Sequence, residues 1–416
     1  MIRLLISDKS GRIYKHSHLE GVGMKAGHFF RLKPTDLIKL PPASSVFMLP
    51  HRIPVGFEPL TKSMIVLDGH NACAAFLPPG YTVTYNAAFK EDPSSKILPL
   101  FSYAAVVSYK GSPHAAAIRI DPDRRHDSML IDISAVRKNV KRFKKIFGRN
   151  RLIPHLERCA LVYGCPNAQN FFLNRHEAPL PTSPACNASC AGCISYQSGK
   201  TICATQPRIK FVPTAEEISN IALFHIDNVK DPIVSFGQGC EGEPLLAGDV
   251  IERSIRLIRD KTSKGTININ TNGSLPETVS RLFDAGLDSI RISLNSARKI
   301  YYTRYYNPKN YCFEDVLRSI KISKEKGGFV SLNYLTMPGF TDSKDEFLEF
   351  KKLIRLYCID MVQWRNLNYD PMLYFRKLKL MPGKEELAGI KEIIKSLRKD
   401  FPRLRMGYFN PALLIN

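Results

Sequence analysis

Three cysteines in one short segment constrain this chain more than any other feature of its sequence. Cys186, Cys190 and Cys193 are separated by three and then two residues. The residues between them are small or polar, so the backbone can wrap closely around a bound group, and Gly192 can adopt a left-handed conformation if the wrap requires one. Thiolates at such short intervals hold cuboidal iron–sulfur clusters. Because only three thiols are present, the segment predicts a metal centre with one open position.

A structural zinc site is the alternative interpretation of the same thiols. Such a site normally closes with four protein ligands. Cys203 or His176 would then have to supply the fourth. We favour the open site, because the zinc interpretation leaves the motifs that follow unexplained.

Polar motifs follow several short apolar segments in the second half of the chain. The segment 232–236 leads towards Gly242-Glu243-Pro244, where glycine permits close approach of the backbone to a ligand and the carboxylate can accept a hydrogen bond from an ammonium group. Thr271-Asn272-Gly273 closes the next segment, either as a pocket wall or as a plain turn. Ser293 and Asn295 are two residues apart, so on a strand their side chains point to the same side.

The C-x3-C-x2-C segment, followed in order by these motifs, resembles the signature of the radical S-adenosylmethionine (SAM) superfamily over residues 184–368. The resemblance implies a [4Fe–4S] cluster bound by Cys186, Cys190 and Cys193, with SAM on the fourth iron. It also implies reductive cleavage of SAM to methionine and a 5′-deoxyadenosyl radical, which abstracts hydrogen from a substrate. An external electron donor such as flavodoxin or ferredoxin is implied with it. Activation of a glycyl-radical enzyme is one reaction that the resemblance leaves open.

The same resemblance implies which residues contact SAM. Gly242 and Glu243 belong to a motif that contacts the SAM amino group, with Glu241 at the place of the usual first glycine. Ser293 and Asn295 match a pattern that hydrogen-bonds the SAM carboxylate and ribose. The turn that contains Gly339 resembles one that meets adenine, and a plain turn is the alternative. No catalytic residue is predicted, and the predicted cofactor contacts are Gly242, Glu243, Ser293, Asn295 and Gly339.

Alternating strand and helix patterns predict an α/β fold with parallel strand pairing. Strands are predicted at 232–236, 266–270, 289–294, 329–335 and 361–365. Helices are predicted from Thr214 onwards and at 249–263, 276–285, 313–326, 344–356 and 383–399. With one strand before Cys186 they make about six βα units, a partial (β/α)6 TIM-like barrel of the kind that the resemblance also implies.

The N-terminal part of the chain has a different pattern. Short apolar runs at 45–49, 64–67, 81–85 and 103–109, broken by Pro, Gly and Asp, predict a β-rich region. The predicted division is a β-rich domain of unknown role at 1–130, a basic helix and linker at 131–180, the radical SAM core at 181–370 and a helical C-terminal extension at 371–416.

Charge and cysteine usage bear on partners and compartment. A formal net charge of +22 is explained either by a solvated basic surface or by an anionic partner, with RNA the first candidate. Ten cysteines, three of them clustered, favour metal chemistry in a reducing compartment over a disulfide framework. No apolar run approaches the ~18 residues of a membrane helix, and the first residues do not form a secretory signal. We therefore expect a cytoplasmic enzyme without a membrane span.

The segment 134–151 predicts a basic amphipathic helix. Val136, Val140, Phe143 and Phe147 recur at helical spacing, and lysines and arginines occupy the other faces. Such a helix either contacts phosphates or packs its apolar stripe as a linker. If the helix contacts phosphates, a second hypothesis follows for the whole chain. The chain would then be an RNA-binding or RNA-modifying protein in which the cysteines hold a structural iron–sulfur or zinc site.

Two further groups of residues are candidates for function. Cys159 and Cys165 could join Cys203 in an auxiliary cluster, although buried thiols that only pack are the more common case, and the same holds for Cys240. At the end of the predicted sixth strand the sequence is polar. Polar side chains on a buried strand need partners, so substrate contacts are predicted at Gln363, Arg365, Asn366 and Asn368.

Overall fold

The computed structural model describes residues 1–197, 199, 201–381 and 386–413. Within these residues the chain forms an antiparallel β-region in its first third and an α/β region with a parallel sheet in the remainder. Both parts agree with the fold predicted from the sequence.

The N-terminal β-region contains 14 strands in one branched antiparallel sheet. Alanine at 72, 74, 75, 104, 105 and 115–117 is almost fully buried, which lets neighbouring layers pack closely. All four strands predicted in this region are present, with ends shifted by at most two residues. The strands are β1 (Ile2–Ser7), β2 (Ile13–Glu20), β3 (Val22–Lys25), β4 (His28–Arg31), β5 (Leu37–Lys39), β6 (Ser45–Leu49), β7 (Arg52–Glu58), β8 (Ser63–Val66), β9 (Asn71–Phe76), β10 (Tyr81–Val83), β11 (Asn86–Ala87), β12 (Phe89–Glu91), β13 (Ala104–Tyr109) and β14 (Ser112–Arg119).

The second sheet contains seven strands, all parallel and in chain order. Because all its strands run in one direction, their carboxyl ends lie at one edge, where ligands bind in folds of this type. The strands are β15 (Glu177–Pro179), β16 (Ile233–Phe236), β17 (Thr266–Thr271), β18 (Ser289–Leu294), β19 (Phe329–Thr336), β20 (Met361–Asn366) and β21 (Arg405–Gly407).

The first three described helices precede the parallel sheet in the chain, and the others connect its successive strands. The helices are α1 (Ile133–Phe147), α2 (Leu152–Leu161), α3 (Pro166–Phe172), α4 (Ala215–Asn228), α5 (Gly248–Arg259), α6 (Pro276–Asp284), α7 (Lys299–Tyr306), α8 (Phe313–Glu325), α9 (Lys344–Leu356), α10 (Pro371–Leu378) and α11 (Ile390–Asp400). Thr214 begins α4 as predicted: its hydroxyl accepts from the Glu217 N–H while the Glu217 carboxylate accepts from the Thr214 N–H.

The C-terminal part departs from the predicted helical extension. After α10 and α11 the chain returns to the sheet as β21, which pairs with β20 and adds a seventh strand. Of the helix predicted over 383–399, residues 383–385 lie outside the described residues, and the described helix begins at Ile390. The strand is only three residues long, so it offers no periodicity that would distinguish it from a loop.

The basic helix packs its apolar stripe as a linker helix would. Helix α1 ends at Phe147, followed by Gly148, and the rest of the predicted span to 151 forms the turn before α2. Phe143 is fully buried, with ring centroids 5.2 Å from Phe171 and 5.1 Å from Phe224. None of the described helices combines the length and the apolar composition that crossing a membrane requires.

The N-terminal β-region docks on the barrel next to the end of β20. The Val83 N–H donates to Asn366 Oδ1 at 2.8 Å, and Asn366 Nδ2 donates to the Tyr81 carbonyl at 2.8 Å. Arg52 forms a buried ion pair of 3.0 Å with Asp370. This region therefore covers part of the edge at which the strands end.

Candidate functional site

A cavity of about 650 Å³ opens at the carboxyl edge of the parallel sheet. Its volume lies within the ~300–1,000 Å³ of small-molecule sites. The cavity is lined by Cys186, Cys190 and Cys193 and by residues at or near the ends of five successive strands, among them Gly237, Thr271, Ser293, Asn333 and Arg365. The sequence motifs that were predicted to meet at a strand edge thus face one common space.

Helix α7 holds the cysteine loop in place. The N–H groups of Ser189 and Ala191 donate to the carbonyls of Tyr306 and Tyr305, at 2.9 and 3.0 Å. A Cβ at Gly192 would lie 2.8 Å from the Tyr305 hydroxyl. The φ angle of Gly192 is not positive, so this residue does not adopt the left-handed conformation. It is needed at this position for space.

The three thiols differ in their surroundings. Burial, together with the other two thiols, raises the pKa of Cys190 well above its ordinary value. Burial and the Glu243 carboxylate raise the pKa of Cys186. At Cys193 burial acts in the same direction, but Ser195 and Arg208 outweigh it and leave the pKa of Cys193 lowered. A positive charge on bound metal would stabilise all three as thiolates.

The arrangement of these thiols fits a cluster better than a single zinc ion. Among the described residues, the one group of three His, Cys, Asp or Glu donor atoms within 4.8 Å of one another lies elsewhere and contains none of them. The proposed fourth zinc ligands are also misplaced, because Cys203 is exposed and neither it nor His176 lines the cavity. Three separated thiols facing one cavity match the donor set of a [4Fe–4S] cluster with one open iron.

Glu243 is a buried carboxylate in the cavity wall. It accepts hydrogen bonds from the Thr271 hydroxyl, from the Asn272 N–H at 2.8 Å and from the Leu245 N–H at 3.1 Å. Burial raises its pKa to about 7. No cation pairs with it among the described residues, so the wall offers a place for an ammonium group. The motif at 271–273 is therefore more than a turn, because it positions this carboxylate.

Glu241 holds the segment that leads into the cysteine loop. Its carboxylate accepts from the N–H groups of Thr182 (2.7 Å), Ser183 (2.9 Å) and Gln238 (2.6 Å), and from the Thr182 hydroxyl (3.0 Å). A glycine at this position could not make these bonds. The departure from the usual motif thus replaces a small residue by a buried carboxylate with four donors.

Gly242 lies directly against the cysteine loop. Its N–H donates to the Ser183 carbonyl at 2.6 Å, and a Cβ on it would overlap the carbonyl group of Ala185. The following N–H, of Glu243, donates to the same Ala185 carbonyl at 2.8 Å. Only glycine permits this contact between the two predicted motifs.

The remaining predicted SAM contacts occupy different places. Ser293 lines the cavity. Asn295 lies beyond the end of β18 and is fully buried, and its Nδ2 donates to the Tyr301 carbonyl and the Tyr374 hydroxyl. Gly339 adopts φ +95° and contacts the backbone of Ala26 in the N-terminal β-region. The roles of Asn295 and Gly339 stay predictions, and neither residue lines the cavity.

The polar residues at the end of β20 have distinct partners. Arg365, Asn366 and Asn368 line the cavity, although the Asn366 side chain is also hydrogen-bonded to the backbone of β10. Asn368 donates to the Gly192 carbonyl at 3.2 Å and so supports the cysteine loop. Gln363 lies in the sheet, where its Oε1 accepts from Arg291 at 2.9 Å and from Arg365 at 3.2 Å.

Several residues of the site were missed from the sequence. Arg291 faces the cavity two residues before Ser293, and the period of two in this strand could have identified it. Arg208, whose Nη2 lies 3.7 Å from Cys193 Sγ, and Asn410, which follows β21, come from irregular segments. No pattern in the sequence marks these two.

Replacing Glu241 with glutamine is expected to destabilise the chain by about 2–3 kcal/mol, because an amide nitrogen then faces hydrogen-bond donors that stay buried. Urea denaturation of the apoprotein measures the change. Glu349→Gln is the control, since Glu349 pairs on the exposed surface with Lys352, and such pairs contribute at most about 1 kcal/mol. Equal stabilities of the two variants would show that Glu241 does not organise the segment.

Comparison with known proteins finds a family model that matches part of this chain. The model of the radical SAM superfamily matches residues 180–351, which contain the cysteine loop, Glu243 and Ser293. The match begins after β15 and ends before β20, so it includes neither the N-terminal β-region nor the strands β15, β20 and β21.

Two curated relatives and one solved structure illustrate the similarity. The chain is 25% identical over 180 residues to the FeMo cofactor biosynthesis protein NifB of Klebsiella pneumoniae, covering 39% of this chain and 38% of NifB. It is 31% identical over 154 residues to GTP 3′,8-cyclase of a Sulfurovum species, covering 36% of this chain and 44% of the cyclase. A radical SAM methyltransferase structure from Sphaerobacter thermophilus matches with a TM-score of 0.40 and 15% identity, over 57% of this chain and 67% of that one. The chain thus spans less than half the length of these two curated relatives.

Proposed function

The chain belongs to the radical SAM superfamily through residues 180–351, and we propose from this premise that it is an enzyme that cleaves SAM reductively and abstracts hydrogen from an anionic substrate. The observation that carries the proposal is the meeting of three thiols and one unpaired carboxylate in a single cavity. Family members bind a [4Fe–4S] cluster and SAM, and the cavity offers donors suited to both.

Cys186, Cys190 and Cys193 would hold the cluster. When bound, the cluster and SAM would supply the chemistry, which is one-electron reductive cleavage of SAM followed by hydrogen abstraction. The protein binds, orients and excludes water. Arg208 supports cluster binding by Cys193, because its positive charge beside the Cys193 sulfur favours the thiolate form. The loop around the thiols is fixed by backbone hydrogen bonds to α7 and therefore needs little rearrangement to bind metal.

Glu243 would accept the ammonium group of SAM, and Ser293 would contact the same molecule from the next-but-one strand. The Thr271 hydroxyl and the Asn272 N–H orient the Glu243 carboxylate by donating hydrogen bonds to it. An ammonium group in the cavity would supply the counter-charge that this buried carboxylate lacks. Gly242 sets the distance between this carboxylate and the cysteine loop.

Two arginines support an anionic substrate. Arg291 and Arg365 both line the cavity, and neither forms an ion pair with an acidic residue among the described residues. The Nε atoms of both are buried without a hydrogen-bond partner in that part of the chain. Burial and the neighbouring Arg365 lower the pKa of Arg291 to about 9. A carboxylate or phosphate group between them would remove this uncompensated charge.

GTP is the first probe for such a substrate, because a relative is named as a cyclase of GTP. Arg365→Gln is expected to weaken binding of GTP, or of pyrophosphate or citrate as simpler anions, by about 10- to 100-fold, since charged hydrogen bonds are lost. Equilibrium dialysis measures it, and Arg398→Gln on the exposed face of α11 is the control.

The same variant separates substrate from cofactor binding. If the arginines serve the substrate, Arg365→Gln keeps the slow cleavage of SAM that occurs without substrate. Loss of that cleavage, with anion binding unchanged, would assign Arg365 to the SAM carboxylate and contradict the substrate proposal.

The experiment that tests the proposed function is anaerobic reconstitution with iron and sulfide, followed by dithionite and SAM. We expect 5′-deoxyadenosine and methionine in equal amounts. Bound zinc without SAM turnover would overturn the proposal and favour a structural metal site. In the cell, a donor such as flavodoxin or ferredoxin would replace dithionite, and a reducing cytoplasm would keep the three cluster thiols free of disulfides.

A further inference from the structure

A second group of metal-binding side chains lies outside the cavity. The Nε2 atom of His155 and the Sγ atoms of Cys159 and Cys240 all lie within 4.8 Å of one another. Cys159 and Cys240 are 2% and 5% exposed, and His155 is half-buried. None of the three lines the cavity that contains the cysteine loop. The proposed function uses none of them.

Two different elements bring these side chains together. His155 and Cys159 are four residues apart on α2, so they lie on one face of the helix, one turn from each other. Cys240 belongs to the loop after β16, and its carbonyl accepts from the Ile209 N–H at 2.8 Å. The group thus joins α2, which precedes the barrel strands in the chain, to the loop that carries Glu241 and Glu243.

The distances match those between ligands of one tetrahedral ion. His155 Nε2 is 3.2 Å from Cys240 Sγ and 3.6 Å from Cys159 Sγ. With Zn–S of about 2.3 Å and Zn–N of about 2.0–2.1 Å, a tetrahedral Zn²⁺ holds sulfur and nitrogen ligands about 3.5 Å apart and two sulfurs about 3.8 Å apart. An iron–sulfur cluster is too large for this group, because several metal atoms and sulfides would have to fit between the donors.

We propose that His155, Cys159 and Cys240 bind one Zn²⁺ ion. The two thiols lose their protons to solvent on binding and ligate as thiolates. Three protein donors leave one tetrahedral position for a water molecule. The ion cross-links α2 to the loop after β16 and thereby fixes the backbone next to Glu241 and Glu243. It is separate from the three-cysteine site, which differs from it in donor type and spacing.

Metal analysis of the full chain tests the proposal. Protein purified anaerobically from zinc-supplemented medium is expected to contain about one zinc ion per chain in addition to any iron. Cys159→Ala/Cys240→Ala is expected to lose at least about nine-tenths of the zinc. His155→Gln, which alters one half-buried side chain and keeps both thiols, is expected to lose most of it. Cys73→Ala, in a buried thiol of β9, is the matched control and keeps its zinc.

A further variant separates this proposal from the proposed function. Cys186→Ala/Cys190→Ala/Cys193→Ala removes the cluster ligands, and we expect it to lose iron but to keep the zinc. Loaded with Co²⁺, it should show thiolate-to-cobalt charge transfer and the strong d–d bands of a tetrahedral ion. Both should vanish when Cys159→Ala and Cys240→Ala are added.

Three results would overturn the proposal. They are equal zinc in the wild type and in Cys159→Ala/Cys240→Ala, no zinc in the wild type after growth with zinc, and a Cys159–Cys240 disulfide in the intact mass of the anaerobically purified chain. Failure of SAM cleavage would contradict only the proposed function, because zinc content is measured without SAM or reductant.

Discussion

Replacing Cys190 with alanine is expected to remove the iron–sulfur cluster and all cleavage of SAM while the chain stays folded. Cys190 lines the cavity together with Cys186 and Cys193. Two thiolates are too few to hold a [4Fe–4S] cluster that already leaves one iron open. The fold should tolerate the change, because the loop is held by the backbone N–H groups of Ser189 and Ala191, which the substitution does not alter.

Iron content and 5′-deoxyadenosine after anaerobic reconstitution measure this prediction. We expect both to fall to the level of a protein-free control in Cys190→Ala. Cys73→Ala controls for the loss of a buried thiol as such, since Cys73 lies in β9 and lines no part of the cavity. Undiminished 5′-deoxyadenosine in Cys190→Ala, with the control also active, would remove the three-cysteine loop from the reaction.

Replacing Asp370 with alanine is expected to lower the free energy of unfolding by about 3–5 kcal/mol, because the buried Arg52 charge then keeps only the more distant Glu91 carboxylate, at 3.6 Å, as a partner. Arg52 is 1% exposed and Asp370 is fully buried, with 3.0 Å between Arg52 Nη2 and Asp370 Oδ2. The same carboxylate accepts from the Leu98 N–H and caps α10 through the N–H groups of Met372 and Leu373. It therefore joins the N-terminal β-region to the barrel.

Urea denaturation, followed by fluorescence and circular dichroism, measures the change. Asp284→Ala is the matched control: Asp284 pairs with Lys326 on the surface, where a loss of at most about 1 kcal/mol is expected. In Arg52→Ala/Asp370→Ala the destabilisation should be smaller than the sum of the two single variants by at least about 1 kcal/mol. Additive effects, or a loss no larger than that of Asp284→Ala, would mean that this ion pair does not join the two parts.

The partial barrel was predictable because its signals are local. The strand at 289–294 and the helix at 344–356 were predicted with the bounds that the structure has, and Thr214 caps α4 as its sequence pattern indicates. Each depends on side-chain periodicity or on a hydrogen bond within one turn of helix. The cysteine spacing is equally local and predicted the loop that faces the cavity.

The site residues show where such prediction ends. Ser293 and Asn295 were expected on one side of a strand, but β18 ends at Leu294, and Asn295 turns towards Tyr301 and Tyr374. Glu241 was known only as a departure from a motif, whereas three of its four donors come from Thr182 and Ser183, almost 60 residues earlier, and the fourth is the nearby Gln238 N–H. The end of β18 at Leu294 decided the first outcome, and the contact of Glu241 with residues 182 and 183 decided the second.

By itself, the sequence of this chain determined the class of metal centre, the order of the barrel elements and the carboxylate that faces the cavity, because these depend on spacing within a few residues. Tertiary structure alone brought Arg291 close to Arg365, where both donate to Gln363 Oε1, and added β21 to the sheet. It also placed the donor atoms of His155, Cys159 and Cys240 within 4.8 Å of one another. Those groupings are made by packing between segments far apart in the chain, and side chains brought together in that way carry no common pattern along it.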